Sequence, residues 1–152
     1  MNNYKSKTIA TWLALLTGTF GLHRFYLRGL SDKLGWLHIP PTLIGLYGVQ
    51  RMDTLGQDDR LAWFLIPLLG LMMAQAALSA VVTGLTPDER WDARHNPGQA
   101  PRATRWGPII GVIVSVAVGG IVLMSTIAFS AQRYFESQAA TAETQNSAKL
   151  IQ

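Results

Sequence analysis

The 152-residue sequence predicts an all-α, polytopic integral membrane protein with four transmembrane helices arranged as two hairpins. Three observations carry that prediction. Gly107 to Phe129 runs 23 positions without a charged residue and is rich in Ile, Val, Gly and Ala. Leu61 to Leu85 runs 25 positions, also without a charge. Only 14% of the residues are charged, against about a quarter in a soluble domain. About 20 apolar residues cross a ~30 Å hydrocarbon core, so each run is long enough to span, and so short a chain has too little polar segment to bury both in water. The absence of cysteine excludes a disulfide scaffold, a thiolate metal site and a cysteine nucleophile together.

Two shorter apolar runs come first, 14 residues from Ile9 to Leu22 and 16 from Leu34 to Val49. Alone, each is re-entrant, thins the bilayer locally, or gains length from its flanking turns. Adding Thr8 and His23-Arg24-Phe25-Tyr26-Leu27 brings the first run to nearly full length, with the Arg24 guanidinium reaching toward headgroups. Pro40-Pro41 either kinks the second helix or starts its straight part. Lys5 and Lys7 before an apolar run imitate a secretion signal, but no A-x-A-like cleavage site follows, so the segment reads as a retained helix. The expected domains are a membrane hairpin over 1–56, a second hairpin over 57–135 with a polar loop at 86–106, and a flexible tail over 136–152.

Asp58-Asp59-Arg60 places carboxylates where they would cap the third helix. Trp63 and Phe64 open that helix, Trp106 opens the fourth, and Tyr134 with Phe135 follows its end, as in an interfacial aromatic belt. Thr86-Pro87-Asp88-Glu89 has the form of a capped helix start. It predicts a short surface helix from Pro87 to about His95, ended by the turn residues Asn96-Pro97-Gly98. With charges of both signs and Trp91, this helix is either a docking or headgroup surface or a solvated connector. From Ala131 the chain begins interfacial and then turns Ala/Thr/Gln/Ser-rich, a composition expected to fray or to be loosely helical.

Gly107, Gly111, Ser115 and Gly119 fall at successive i+4 positions, a stripe that lets helix backbones approach closely. Ala76, Ala80 and Gly84 repeat the pattern on the third helix, and Ala10, Ala14 and Gly18 on the first. The stripes predict a tight bundle, formed within one chain or between copies. The two long runs hold no ionisable group of the kind that marks an ion path; Gln75, Ser79, Ser115, Ser125 and Thr126 are their notable polar residues, suited to bonding between helices. His23, His38 and His95 are scattered, with no HExxH, paired-carboxylate or Gly-x-Ser-x-Gly arrangement. The expectation is therefore no enzyme, no catalytic residue, no metal and no cofactor. The net charge of +4 is spread thinly, so no nucleic-acid partner is expected. In a four-helix topology the N-terminal tail, second loop and C-terminal tail hold six lysines and arginines, and the first and third loops hold seven. That near-balance leans only slightly toward cytoplasmic first and third loops.

Lys7, Ala10, Gly18, Gly21, the string His23-Arg24-Phe25-Tyr26-Leu27 and Asp53 together resemble the TM-two domain family, small membrane proteins built on a two-helix hairpin. The resemblance covers about a third of the chain; the two later helices resemble an extension found in some bacterial members. Family members usually have glycine directly after that leucine, whereas Arg28 here precedes Gly29, which predicts a turn one residue longer. Pro40-Pro41 is a second departure. The resemblance implies an integral membrane protein, here of a bacterial cytoplasmic membrane, whose biochemical role is generally unassigned. Animal members read Asp-Arg-Phe at His23-Arg24-Phe25 and are compared there with a receptor-coupling motif; without the aspartate that role is not carried over. Arg24 beside two aromatics would anchor a lipid phosphate or a partner carboxylate, or clamp the hairpin at the interface. The functional expectation is a non-enzymatic interaction or scaffold protein associating through small-residue helix faces, with membrane lipids, further copies or other membrane proteins as partners. The alternative is a small transporter or channel subunit, for which a polar cavity near Gln75 would speak. A membrane enzyme would require His23 or His38 to face Asp32 or Asp53.

Overall fold

The computed structural model describes residues 4–100 and 102–150, and among them every regular element is helical. Helix α1 (Lys7–Thr17) opens on Ser6, whose hydroxyl accepts from the Ile9 N–H at 3.5 Å. It ends in a 3₁₀ turn over Gly18–Phe20, and the chain reverses at Gly21 into α2 (Leu22–Arg28). The two helices lie antiparallel with their outer ends level: the Ser6 N–H donates to the Tyr26 hydroxyl at 2.9 Å, and the Lys5 ammonium donates to the Leu27 carbonyl.

This overturns the expectation that His23–Leu27 prolongs the first helix. The cause is local. Gly21 has φ 75°, a left-handed conformation open to glycine, and a Cβ there would strike the Gly35 carbonyl. No straight helix passes through that point.

From Arg28 the chain turns through Gly29 and descends again in the single turn α3 (Lys33–Trp36) and in α4 (Ile39–Leu55). The Thr42 hydroxyl donates to the Thr19 carbonyl at 2.6 Å, which sets the start of α4 level with the end of α1. Pro40 and Pro41 lie in the first turn of α4, where backbone N–H groups have no helical partner to lose, so the pair starts the helix rather than kinking it.

Helix α5 (Arg60–Leu85) is capped by Asp59, which accepts from the Ala62 N–H at 3.3 Å, and its 26 residues extend about 39 Å. Stacked end to end, α1 (11 residues, about 16 Å) and α4 (17 residues, about 25 Å) cover that length. Gly84 and Ala76 of α5 meet Thr11 and Gly18 of α1, while Leu69 and Leu65 meet Gly45 and Gly48 of α4. After the surface helix α6 (Asp88–His95), α7 (Gly107–Leu150) returns along the bundle and runs about 66 Å, carrying the chain to Leu150 as helix.

Small residues make these contacts. A Cβ on Gly107 would stand 2.6 Å from Thr8, on Gly111 2.9 Å from Thr11, and on Gly119 2.6 Å from Ala77. Ser115 is buried on the same stripe, its hydroxyl donating to the Gly111 carbonyl at 2.6 Å. The stripes of α1, α5 and α7 thus meet one another inside one chain. They are not free for a second copy, which corrects the expectation that association runs through them.

The buried core is correspondingly small-sided: Ala10, Ala14, Ala62, Ala76, Ala77 and Ala80, with Thr11, Thr42 and Ser115. Large apolar side chains point outward, Leu16, Phe64, Ile121 and Met124 being between 68% and 78% exposed. A water-soluble protein buries such side chains and rarely leaves large contiguous apolar surface. Two helices, α5 and α7, are long and apolar enough to cross a membrane.

Candidate functional site

Polar order concentrates at the end of the bundle where the N-terminal tail, the end of α2 and α6 meet. Helix α6 is held from below by Lys7, which donates to the Thr86 carbonyl at 3.0 Å and pairs with Asp88. The Thr104 N–H and hydroxyl close on the same carboxylate at 2.8 and 2.6 Å. Burial would raise the Asp88 carboxyl, but the Lys7 and Thr104 bonds outweigh it and pull its pKa down to about 2.

One turn on, Asp92 accepts from Tyr4 at 3.0 Å, from the Asn96 amide at 2.8 Å and from the Arg102 N–H at 3.2 Å. The Asn96 bond is the largest influence holding this carboxyl below the usual range, with burial opposing it. Burial and the neighbouring Asp92 raise the Tyr4 phenol in turn, and the Arg102 guanidinium lies 4.4 Å from the centre of the Tyr4 ring.

The tail's backbone is read as if by a strand partner. Asn96 accepts from the Lys5 N–H at 2.7 Å, and the Lys5 carbonyl accepts from Trp91 Nε1 at 2.8 Å and Asn96 Nδ2 at 3.2 Å. Trp91 is 4% exposed and stacks on His95 with ring centres 4.3 Å apart. Burial, then Arg94, Lys5 and Arg28, push the His95 imidazole below its ordinary pKa. The Thr86 hydroxyl does not cap α6 as its position suggests; it donates back to the Val82 carbonyl at 2.8 Å, and Pro87 stands at the cap instead.

The family string lies directly beside this platform, and each of its residues holds α2 to a neighbour. His23 is buried and meets His38 edge-on, ring centres 6.0 Å apart. Arg24 pairs with Asp32 at 2.7 Å, and that bond leads the influences holding the Asp32 carboxyl low. Phe25 covers Gly35 and packs on Trp36 at 5.2 Å, and Tyr26 takes the Ser6 N–H. Gly18 and Gly21 make the reversal that brings the string back to the tail. Asp53 is not part of this assembly: it is exposed on the last turns of α4, at the opposite end of the bundle. Gly107 and Gly111 pack under the tail side through Thr8 and Thr11, while Gly119 lies deeper, against Ala77.

Tyr4 and Asn96, which with Trp91 tie the tail to α6, escape a reading of the sequence, where Asn96 stands out only as the first residue of a turn. A lone tryptophan in an otherwise polar eight-residue helix was the available signal.

Two open depressions adjoin the site. One, about 450 Å³, runs beside α6 between Glu89, Asp92, Gln99 and Arg102. The other, about 350 Å³, separates α2 from α5 and is lined by His23, Arg24, Gln75, Ser79 and Thr83. Gln75 donates to Ser79 at 3.0 Å within it. Next to Gln75 in the chain, Ala76 is closed on by Gly18, with 2.8 Å between a Cβ built on Gly18 and that of Ala76.

No curated protein and no solved structure matches the chain. Residues 3–52 match the model of the TM2 domain, so the first third of this chain is similar to that domain, and the match together with two helices long and apolar enough to cross a bilayer points to a membrane protein.

Proposed function

We propose that this is a multi-pass, non-enzymatic interaction or scaffold protein of a bacterial cytoplasmic membrane, with the tail–α6 platform as the surface its partners meet. One observation carries the reading: the polar side chains are engaged in fixing a platform rather than converging on a vacant reacting position. Asp88 and Asp92 are each saturated by donors from the tail and from the 102–104 strand of chain, and Arg24 is held by Asp32. Since the small-residue stripes are covered internally, contacts with other membrane proteins or further copies run through the platform and the outer apolar faces. The bacterial assignment is supported by the two helices that follow the TM2 match, which resemble the extension of some bacterial members.

The test is site-specific photocrosslinking in membranes. A crosslinker at Arg90 or Arg94 on the exposed side of α6 should give discrete protein adducts, whereas Leu78 and Ile113, on outer helix faces, should give mainly lipid adducts. Lipid adducts alone at all four positions would reject the platform as a protein-binding surface.

A small transporter or channel subunit is the second reading, favoured by the groove that holds Gln75 and Ser79. It predicts solute flux or conductance in vesicles containing the purified chain, reduced by Gln75→Leu. An open groove of about 350 Å³ supports it less than the platform supports the first reading.

A further inference from the structure

The reversal at Gly21 changes which segments share a side of the bundle. The tail, the Arg24–Lys33 segment and the α6 region all gather at one end, tied by Lys5 to Leu27, Lys7 to Asp88 and Ser6 to Tyr26. The 56–59 turn and the lower part of α7 lie at the other, where Arg51 pairs with Asp59 and the Arg133 guanidinium lies 5.3 Å from the Trp63 ring centre. Residues 4–36 and 86–106 hold nine of the 13 lysines and arginines, and the other end holds four. The carboxylates divide four and five, so the two ends carry +5 and −1 of the net +4. A near-balance under four crossings becomes better than two to one under three.

Six of the nine cations, Arg28, Lys33, Arg90, Arg94, Arg102 and Arg105, are exposed, and of these Arg102 is engaged over the Tyr4 ring. Trp106, 73% exposed, stands at the start of α7, where that apolar helix begins. An excess of exposed cations beside an interfacial indole is the pattern of a cytoplasmic membrane surface, whose anionic lipids attract them.

We propose that the chain crosses the bilayer three times, through α4, α5 and α7, with α1 and α2 dipping in and returning, and that the tail–α6 end lies on the cytoplasmic leaflet with its exposed cations against anionic phospholipid headgroups. The inference rests on the membrane reading above and adds the crossing number, the orientation and the lipid class.

The chain has no cysteine of its own, so single cysteines report sidedness cleanly. In intact cells, Gln57→Cys and Gln145→Cys should react with a membrane-impermeant maleimide, and Asn2→Cys and Ala100→Cys only after permeabilisation. Asn2→Cys labelling together with Gln57→Cys, opposite Ala100→Cys, would restore four crossings and overturn the proposal; so would Ala100→Cys labelling from outside. Recovery of the chain in the soluble fraction would instead remove the membrane reading itself.

Replacing Arg28, Lys33, Arg90, Arg94 and Arg105 by glutamine leaves four against four, and outside labelling at Gln57→Cys should fall about twofold as orientation becomes mixed. For the lipid class, the wild-type chain in mixed vesicles should be quenched more by brominated phosphatidylglycerol than by brominated phosphatidylcholine, and the five-glutamine variant equally by both. Equal quenching of the wild type would overturn the headgroup assignment.

Discussion

Lys7, in the first turn of α1, is paired with Asp88 at the start of α6, 81 residues later, and is itself only 8% exposed. The pair is asymmetric. Without Lys7, Asp88 keeps two bonds from Thr104 and some contact with water; without Asp88, a buried ammonium keeps only the Thr86 carbonyl. Asp88→Ala should therefore lower stability by about 1–2 kcal/mol, less than a fully buried pair would because a third of Asp88 is exposed, and Lys7→Met should cost less. Thermal unfolding in detergent measures both; equal losses would refute the asymmetry.

Acid should release the tail in two stages. The His95 pKa is lowered in the fold, so its contribution is present above the unfolded value of about 6.5 and is lost as pH falls below it. Asp88 is lowered to about 2, so its contribution is present above an unfolded value of about 4 and is lost as pH falls from there through 2. Amide exchange of residues 88–96 should accelerate first below about pH 6.5 and again below about pH 4, while the middle of α5 stays protected. Unchanged protection of α6 down to pH 3 would contradict this.

Neighbouring glycines on α7 give a direct probe of the internal stripe. A Cβ on Gly119 would lie 2.6 Å from that of Ala77, whereas one on Gly120 meets nothing within 4 Å. Gly119→Ile should destabilise the monomer by about 1–3 kcal/mol through overpacking, and Gly120→Ile should leave the melting temperature nearly unchanged. If Gly119→Ile altered only the oligomer distribution, the stripe would be an interface between copies after all.

Two glycines with positive φ separate backbone strain from crowding. Gly21 (φ 75°) has the Gly35 carbonyl in the place of a Cβ, while Gly29 (φ 81°) faces open space. Gly29→Ala should cost about 1–3 kcal/mol, the penalty alone of a backbone conformation (ψ 176°) that essentially only glycine adopts. Gly21→Ala adds a backbone clash and should also loosen the Arg24–Asp32 pair. Comparable melting shifts for both variants would show that the Gly35 contact is not tight.

Much of the architecture is legible in the residues. The length of α5 and the apolar first half of α7 follow from uncharged runs that water would not tolerate, and the cap at Asp59 and the end of α6 at Asn96 follow from local chemistry. The small-residue positions of α1, α5 and α7 are equally visible as stripes. Their partners are not, since a stripe records that something comes close without recording what.

The amino-acid sequence by itself determined where this chain is apolar, how long each helix could be and which backbones could touch. Only the tertiary structure decided that the chain turns back at Gly21, that the stripes close on one another, and that the tail docks on Trp91 and Asn96. The reason is physical. Solubility and helix length are sums over local residues, but a reversal fixed by one carbonyl 14 positions away, and a tail bonded to a helix some 90 residues later, are long-range pairings to which no single segment commits.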